Sequence, residues 1–503
     1  MLLIYPKTGI DLGATIGPPH ALLSIAAPLI SEYNVKILDQ RIDPNFMSNL
    51  FIELAKVPIC VGITTMTGTQ IAYALQIAQE IRKYNYRIPI VWGGAHPSSV
   101  PEQTVENEFV DIVCVGEGDL TFKEIVKAID QKESWAKIKG IVYKDYHIIR
   151  KTEERELLDV EELLDTPWDL IDVESYIHRD FYMRGTKRSL DIGQTSRGCP
   201  FQCGFCSSAT LRKRKWRAMS VEKSLNKIIE PVKKFNLDSI WIRDDEFYID
   251  KNRAHKICEG ILNSNLKIKW YTSGTRIDTF NSATDEQIKM FKKSGANTLK
   301  FGAESGSDKI LDLMKKGIHK EDTIAANLKI KKYDITPVYA LMIGFPTETF
   351  DDIHQTIDLY NRLRKDNRKA QFEIIGTYLA FPATPLWDLA LKNGLQAPTK
   401  LEEWKDWLSD EYDLYGKKIP WFNKIDRKKI GNITYTSILA NGMRNAIFSA
   451  RNVLSRIFLK LFFIPISSFE RFKLRNKLYT FAPELDIARY LRKRIFYNKK
   501  ERK

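Results

Sequence analysis

Short apolar runs alternate with helix-forming stretches along most of the first 400 residues of this chain, and this alternation restricts the fold more than any other feature. Each run ends near a proline, a glycine or a polar residue, and helical patterns such as the one at 71–83 separate the runs. Buried strands that alternate with helices favour a doubly wound parallel sheet. We therefore predict an α/β protein in which residues 1–140 form a Rossmann-like domain. The predicted strands of this domain are LLIYP at 2–6, VKILD at 35–39, CVGIT at 60–64, IPIVWGG at 88–94 and DIVCVGEG at 111–118.

A chain of 503 residues is too long for a single hydrophobic core, so further domains are expected. Six more strand–helix units occupy residues 186–400, which predicts a partial βα barrel. A charged connector at 141–185 separates this barrel from the first domain. Residues 401–503 are predicted to form a basic, aromatic, helical C-terminal region.

Glycines follow three of the predicted strands of the first domain. Ligands of doubly wound sheets bind at the carboxyl ends of the strands, and glycine lets a ligand approach the backbone closely. Neither the dinucleotide motif G-x-G-x-x-G nor the phosphate-binding loop G-x-x-x-x-G-K-[ST] occurs, so a nucleotide ligand has no support. The candidate ligand-binding residues are Gly62, Thr64, Gly93, Gly94, Gly116 and Gly118.

Three of the six cysteines lie in the segment CPFQCGFC, as Cys199, Cys203 and Cys206. So few cysteines in a long chain favour a reducing, cytoplasmic compartment and a metal or catalytic role. A structural zinc site normally has four protein ligands, and the nearest histidines, His178 and His255, are far away along the chain. A [4Fe–4S] cluster held by three thiolates has one iron open to another ligand. We predict such a cluster with these three cysteines as ligands, and structural zinc is the alternative.

The spacing C-x3-C-x2-C, with Phe205 before the last cysteine, resembles the signature of the radical S-adenosylmethionine (SAM) enzymes. The segments VWGGAHPS at 91–98 and VGEGD at 115–119 resemble the cobalamin-binding members of that family. The resemblance implies that the three cysteines bind a [4Fe–4S] cluster, that SAM binds its open iron, and that cobalamin binds the first domain. The motif D-x-H-x-x-G, which supplies a cobalt ligand in many cobalamin proteins, is absent. We therefore expect no cobalt ligand from that motif.

Polar residues and glycines at the predicted barrel strand ends resemble the SAM-binding segments of this family. The resemblance implies that RDDEF at 243–247 binds the SAM amino group, which suits carboxylate acceptors. It also implies that FGAESGS at 301–307 contacts the ribose and carboxylate, and that MIGFPTET at 342–349 shapes a turn near the adenine. An arginine at a strand end can pair with the SAM carboxylate. The implied SAM contacts are Asp244, Asp245, Glu246, Arg276, Gly302, Glu304, Gly306 and Gly344.

The family cleaves SAM reductively, and the resulting 5′-deoxyadenosyl radical removes a hydrogen atom from an unactivated carbon. The first hypothesis is a cobalamin-dependent methyltransferase acting on such a carbon. The second is a cyclase, or another enzyme forming C–C or C–O bonds, that acts on a lipid or tetrapyrrole. The third is a non-catalytic redox or corrinoid sensor, which the SAM-binding segments disfavour. Both enzyme hypotheses require a small-molecule or lipid substrate and an electron donor such as flavodoxin or ferredoxin.

Positive charge is concentrated at the C-terminal end of the chain. Residues 441–503 contain 16 lysines and arginines against four acidic residues, so they contribute +12 of the net charge of +15. Within 450–481, apolar residues such as Val453, Ile457 and Leu461 share one helical face, a pattern typical of a helix on an anionic membrane surface. Packing of this helix against the barrel is the alternative, and no RNA-binding module supports a nucleic-acid partner.

No apolar run is long enough to cross a bilayer, and the N-terminus does not resemble a signal peptide. We therefore expect a cytoplasmic protein with peripheral contact to the inner face of the membrane. The basic segment LRKRKWR at 211–217 follows the cysteines. A charge run of this kind is usually a solvated helix face, and here it could also attract an anionic substrate or offset the negative charge of the cluster.

Overall fold

The computed structural model describes residues 1–9, 11, 16–146, 148–179, 185–407, 418–441, 453–480, 482 and 485–486. The strands are β1 Leu2–Tyr5, β2 Lys36–Asp39, β3 Val61–Thr64, β4 Ile90–Gly93, β5 Ile112–Cys114, β6 Ile141–Asp145, β7 Ile148–Lys151, β8 Ser189–Asp191, β9 Ser196–Arg197, β10 Arg217–Ala218, β11 Ser239–Ile242, β12 Lys269–Thr275, β13 Ala296–Glu304, β14 Thr336–Ile343 and β15 Gln371–Thr377.

The helices alternate with these strands through both domains and continue beyond them. They are α1 His20–Ala26, α2 Phe46–Leu54, α3 Thr69–Tyr84, α4 Ala95–Ser99, α5 Pro101–Glu106, α6 Gly118–Asp130, α7 Ser207–Leu211, α8 Val221–Lys234, α9 Lys251–Asn263, α10 Ile277–Asn281, α11 Asp285–Lys293, α12 Asp308–Leu313, α13 Lys320–Lys331, α14 Phe350–Asp366, α15 Pro385–Lys392, α16 Lys424–Asn441 and α17 Val453–Arg475.

The first sheet has the order β2-β1-β3-β4-β5-β6-β7, and its first five strands are parallel. Alternate residues of β1 face opposite cores: Leu3 packs on the side of α1 and α6, and Leu2 and Ile4 pack on the side of α3. A parallel sheet covered on both faces requires such apolar strands. The doubly wound domain expected from the sequence is confirmed.

Two antiparallel strands, β6 and β7, extend this sheet inside the segment predicted to be a charged connector. All four residues of β7 are exposed, and Arg150 and Lys151 lie on it. An outermost strand needs little apolar surface, and basic side chains discourage pairing with another chain. The charged stretch at 151–172, which suggested a connector, follows this edge strand rather than forming it. The boundaries predicted for the four regions of the chain remain predictions.

The second sheet consists of six parallel strands in the order β15-β14-β13-β12-β11-β8. Spatial order follows chain order, as in a βα barrel, and the sheet forms a half-barrel with its helices outside. The predicted partial barrel is confirmed, and five of the six predicted strands overlap β11 to β15. The first predicted strand, DIGQTSRGC at 191–199, shares only Asp191 with β8, and most of it lies in the segment that leads into the cysteine loop. Strands β9 and β10 form a separate two-stranded ribbon beside the cysteine segment.

Beyond the half-barrel, α16 packs on β15, where the Ser437 hydroxyl accepts a hydrogen bond from the backbone N–H of Ile375 at 2.9 Å. Helix α17 packs on α16. Among the described helices, none is long and apolar enough to cross a membrane. The side chains of 453–460, on which the predicted amphipathic face partly depends, lie outside the described ones.

Candidate active site

The cysteine segment forms a loop between β9 and α7, at the carboxyl end of the half-barrel. The backbone holds it at two points: the N–H of Gly204 donates to the carbonyl of Met314 at 2.7 Å, and its carbonyl accepts from the N–H of Leu386 at 2.9 Å. Gly198 begins the loop with φ of +85°, and a Cβ there would lie 2.2 Å from the carbonyl oxygen of Lys215. The loop therefore has a fixed path in which position 198 requires glycine.

Cys203 is buried, and Cys199 and Cys206 are half-buried. Burial raises the pKa of the Cys199 thiol to about 11 and also raises the pKa of Cys206. Such thiols lose their protons at neutral pH when a metal binds them, because the metal stabilises the thiolate. Within the described residues, no group of three or more His, Cys, Asp or Glu side chains is arranged around a single metal ion. The cysteines of an iron–sulfur cluster bind different iron atoms, so they do not need to meet at one point.

Two buried cations lie beside Cys203. Nη1 of Arg276 donates to Cys203 Sγ at 3.4 Å, and the guanidinium lies 3.7 Å from the centroid of the Phe201 ring. Lys316 Nζ is 5.8 Å from the centroid of the Phe205 ring. Thiolates that hold an iron–sulfur cluster accumulate negative charge, which hydrogen bonds and nearby positive charge stabilise. The side chains around the loop therefore fit such a cluster.

Two of the three acids of RDDEF hold the ends of the cysteine loop in place. Asp244 is buried and accepts hydrogen bonds from the backbone and hydroxyl groups of Thr195 and Ser196 at 2.6–3.1 Å. Asp245 is exposed, and its Oδ2 accepts from the N–H of Gly198 at 3.1 Å and from the hydroxyl of Ser208 at 2.9 Å. Their contact with SAM remains a prediction.

The third acid, Glu246, is buried and accepts from the backbone N–H groups of Tyr248 at 3.1 Å and Arg276 at 2.6 Å. Burial raises its pKa to about 8, although these two donors favour the charged form. Glu246 therefore joins the end of β11 to the end of β12. Through this contact, the segment predicted to bind the SAM amino group is linked to Arg276, the arginine beside Cys203.

Glu304 forms a buried ion pair with Lys316, at 2.8 Å between Oε1 and Nζ. Its own φ is +62°, a left-handed conformation that costs about 1 kcal/mol or more for a residue other than glycine. A Cβ at Gly302 would lie 2.3 Å from Glu304 Oε1, so this glycine makes room for the pair. Glu304, the predicted ribose contact, is thus paired with Lys316, which the sequence did not identify as part of the site.

Gly306 and Gly344 have structural reasons to be glycine. A Cβ at Gly306 would lie 2.2 Å from the carbonyl oxygen of Gln355 in α14. Gly344 has φ of +90°, and its N–H donates to the Glu348 carboxylate, which also accepts from Phe345 N at 2.9 Å. Burial raises the pKa of Glu348 to about 8. The predicted contacts of both glycines with SAM stay predictions.

A cavity of about 420 Å³ opens at the carboxyl ends of the parallel strands of the first domain. All six residues predicted to bind a ligand line it, namely Gly62, Thr64, Gly93, Gly94, Gly116 and Gly118. Gly94 has φ of +103° and approaches Thr65, whose carbonyl oxygen would be 2.6 Å from a Cβ. Gly116 has φ of +80°, and a Cβ there would meet nothing within 4 Å, so it would project into open space. The glycines along this edge would let a ligand approach the backbone closely.

The opposite wall of the cavity belongs to the half-barrel, with Gly193, Arg197, Lys227 and Arg243 among its residues. The cavity therefore lies between the two domains. Since Arg197 and Gly193 belong to the segment that leads into the cysteine loop, a ligand in this cavity would lie next to that loop. The sequence predicts the two halves of the site but not their common boundary.

His20, at the start of α1, also lines the cavity, and sequence analysis missed it. Its Nε2 lies 3.0 Å from Oδ1 of the buried Asp191 at the end of β8, and Arg243 pairs with the same carboxylate. Burial alone would raise the pKa of Asp191, but its contacts with His20 and Arg243 hold it below its usual range. The pair spans 171 residues of sequence, so no local pattern could have identified it.

His96, in contrast, packs edge-on against Trp404, with ring centroids 5.1 Å apart. It is fully buried, burial lowers its pKa to about 3, and Nδ1 lies 3.1 Å from the hydroxyl of Thr67. It is not among the residues that line the cavity. His96 is therefore part of the packing between α4 and the C-terminal region.

An ion cluster joins the two domains beside the cavity. Glu117 of the first domain pairs with Arg212 at 2.6 Å and with Arg217 at 2.6 Å, and Asp119 pairs with Arg197 at 2.8 Å. Burial alone would raise the pKa of Glu117, but hydrogen bonding from Arg217 and the charges of Arg197 and Arg212 keep it below its usual value. Arg212 and Arg217 of the basic segment LRKRKWR thus bind the first domain rather than face solvent.

The fold and site define a two-domain α/β enzyme with a cysteine loop next to an interdomain cavity. Residues 194–360 match the family model described as the radical SAM superfamily, and residues 10–126 match the B12 binding domain. The uncharacterized methyltransferase PH0819 of Pyrococcus horikoshii is 33% identical over 401 residues, which cover 78% of this chain and 84% of that protein. The chain therefore belongs to the radical SAM superfamily and has an N-terminal B12-binding domain.

More distant relatives include the anaerobic magnesium-protoporphyrin IX monomethyl ester cyclase of Rubrivivax gelatinosus. It is 28% identical over 313 residues, which cover 59% of this chain and 53% of that protein. Among solved structures, the cobalamin-dependent radical SAM enzyme OxsB, with aqua-cobalamin and SAM bound, superposes with a TM-score of 0.73 at 20% identity. The match covers 98% of this chain and 74% of that chain. This likeness shows the shared fold.

Proposed function

We propose that this cobalamin-dependent radical SAM enzyme is a methyltransferase that acts on an unactivated carbon. The main support is the cavity between the two domains, where the glycine edge of the B12-binding domain meets the segment leading into the cysteine loop. A reaction that uses both cofactors needs them close together, since orienting the reacting groups lowers the barrier. The name of the relative PH0819 as an uncharacterized methyltransferase supports the same class.

We further propose Cys199, Cys203 and Cys206 as the cluster ligands, with the eight strand-end residues predicted above as SAM contacts. The six cavity residues of the first domain would contact cobalamin. When bound, the cluster and SAM supply radical chemistry and cobalamin supplies a methyl carrier. The protein's part is to hold these groups in register and to exclude water. Arg276 and Lys316 would stabilise negative charge at Cys203, and the ion cluster around Glu117 would fix the distance between the domains.

The second candidate is a reaction that forms a ring or a C–C or C–O bond without methyl transfer. Its support is the relative named as a magnesium-protoporphyrin ester cyclase. The third hypothesis, a non-catalytic sensor, is not retained because the chain belongs to an enzyme family. Either reaction needs an external reductant, and flavodoxin or ferredoxin remain the predicted donors.

Product analysis separates the two candidates. The chain, purified and reconstituted with iron, sulfide and cobalamin without oxygen, is incubated with SAM and a strong reductant. A methyltransferase should produce both S-adenosylhomocysteine and 5′-deoxyadenosine and should retain a corrinoid absorption spectrum. Production of 5′-deoxyadenosine alone would instead support the bond-forming reaction. A Cys258→Ala variant is the matched control for Cys203→Ala, because Cys258 is buried in α9 outside the loop.

A further inference from the structure

One face of α17 exposes large apolar side chains. Leu461 has 73% and Phe469 has 56% of its surface exposed, and Ile464 and Phe472 are also exposed. Leu461 and Ile464 share one side of the helix, and Phe469 and Phe472 share one side about two turns further on, so all four lie within about 140° of its circumference. We call these four residues the apolar stripe. A stripe of this kind on a folded protein usually marks an interaction site.

An adjoining face of α17, three and seven positions after Ile464, holds the helix on the protein. Ser467 donates to the carbonyl of Leu439 in α16 at 3.1 Å, and Arg471 donates to the carbonyl of Ala440 at 3.1 Å. Leu474, one turn further on, is fully buried. Helices on the surface of globular proteins normally bury their apolar face. Here α17 is attached through a partly polar face, which leaves the stripe outward.

An exposed basic residue lies beside the stripe. Arg475 is exposed at the end of the helix, and its guanidinium lies 5.8 Å from the centroid of the Phe472 ring. The stripe also lies within residues 441–503, whose net charge is +12. Aromatic and aliphatic side chains flanked by lysine and arginine are typical of helices that lie in the interface of an anionic bilayer. No described helix is long and apolar enough to span a membrane, so such a contact would be peripheral.

We propose that the apolar stripe of α17, together with Arg475, binds the surface of an anionic membrane. A second copy of the chain is a poorer partner, because pairing the stripes would bring two strongly basic segments together. Anionic lipid headgroups supply the opposite charge, and the acyl region accepts the phenylalanine and leucine side chains. The inference concerns a helix of the C-terminal region and none of the proposed cofactor-binding residues, so it does not depend on which reaction the enzyme performs.

Flotation of the full-length protein with lipid vesicles tests the proposal. One set of vesicles contains phosphatidylcholine alone, and the other contains equal parts of phosphatidylcholine and phosphatidylglycerol. The wild type should float with the anionic vesicles, and added salt should weaken its binding. The double variant Phe469→Ser, Phe472→Ser should remain unbound. Arg475→Glu should lower the partition coefficient roughly 30-fold. Each unit of positive charge near the membrane surface raises the partition coefficient about fivefold, and this substitution changes the charge by two units.

The matched control is Ile52→Ser in α2 of the first domain, because Ile52 is 57% exposed, like Phe469. This variant should bind the anionic vesicles as the wild type does. Circular dichroism and thermal unfolding establish that each variant is folded. Binding that is equal in the double variant, or absent in the wild type, would refute the proposal. A wild-type dimer that is lost in the double variant, without any lipid binding, would assign the stripe to a second copy and also overturn it.

Discussion

Replacing Glu117 with glutamine should loosen the attachment of the B12-binding domain to the half-barrel. Glu117 is buried and pairs with Arg212 and Arg217 of the other domain, each at 2.6 Å. The substitution keeps the shape of the side chain but removes the negative charge between two arginines. Breaking a buried ion pair from one side costs about 3–5 kcal/mol. Because Arg212 is partly exposed to solvent, we expect roughly 2–4 kcal/mol.

The assay is urea unfolding followed by tryptophan fluorescence, combined with limited trypsin digestion of the segment between the domains. A two-domain protein need not unfold in one step, so the quantity compared is the free energy of the transition that separates the domains. In a double-mutant cycle with Arg212→Gln, the coupling energy should be about 1–3 kcal/mol. The matched control is Glu102→Gln, since Glu102 pairs with Lys151 at 2.8 Å on the exposed surface. That variant should lose at most about 1 kcal/mol.

The pH dependence follows from the lowered pKa of Glu117. A carboxylate whose pKa is lower in the folded protein contributes stability above its usual value of 4.5, and this contribution is lost as the pH falls below it. The wild type should therefore lose interdomain stability on acidification more steeply than Glu117→Gln does. A Glu117 variant that behaves like Glu102→Gln, with no coupling to Arg212, would show that the ion cluster does not hold the domains together.

Two further predictions concern the cofactors. Gly116→Ala should weaken cobalamin retention, measured as corrinoid per protein after gel filtration, because its Cβ would project into the cavity. Gly394→Ala is the matched control, since φ is +92° at Gly394 and +80° at Gly116 and neither Cβ would have a neighbour within 4 Å. The control should bear a similar backbone cost and keep its cobalamin. Equal retention by both variants would contradict the assignment of the cavity. Arg276→Gln should lower the midpoint potential of the cluster, followed by EPR, by roughly 60–130 mV, the equivalent of one charge-assisted hydrogen bond. The control is Arg188→Gln, which breaks the exposed ion pair with Glu174 and should leave the midpoint potential unchanged. If Arg276→Gln also left the potential unchanged, the role of the N–H···S contact would be refuted.

The sequence was sufficient for the framework because the features that define it are local. Most parallel strands of the two sheets contain a short apolar run bounded by glycine, proline or a polar residue. Parallel strands place their carboxyl ends at one edge, so Gly62, Gly94 and Gly116 could be grouped before the structure was known. The hairpin β6–β7 was missed because the segment 141–185 was interpreted from the charged stretch KTEERELLDVEELLDTPWDLID, which begins where β7 ends.

The parts of the site that could not be predicted depend on contacts between distant residues. His20 meets Asp191 across 171 positions, and Arg212 meets Glu117 across 95. Periodicity and motif spacing describe residues that are close in sequence. They do not indicate which acidic residue pairs with which basic residue in the folded protein. The basic segment at 211–217 was therefore interpreted from its composition, whereas two of its arginines are bound to the first domain. Only the docking of the domains determines this.

EPR spectroscopy of the reduced, reconstituted enzyme, recorded with and without SAM, is the most direct test of the proposed active site. If Cys199, Cys203 and Cys206 hold a [4Fe–4S] cluster with one open iron, SAM should change the spectrum of the reduced cluster. The Cys258→Ala variant should show the same change, and Cys203→Ala should lose the cluster signal. A wild-type spectrum that SAM leaves unchanged, or a cluster signal that persists in Cys203→Ala, would contradict the assignment of the cysteine loop as the SAM-binding iron–sulfur site.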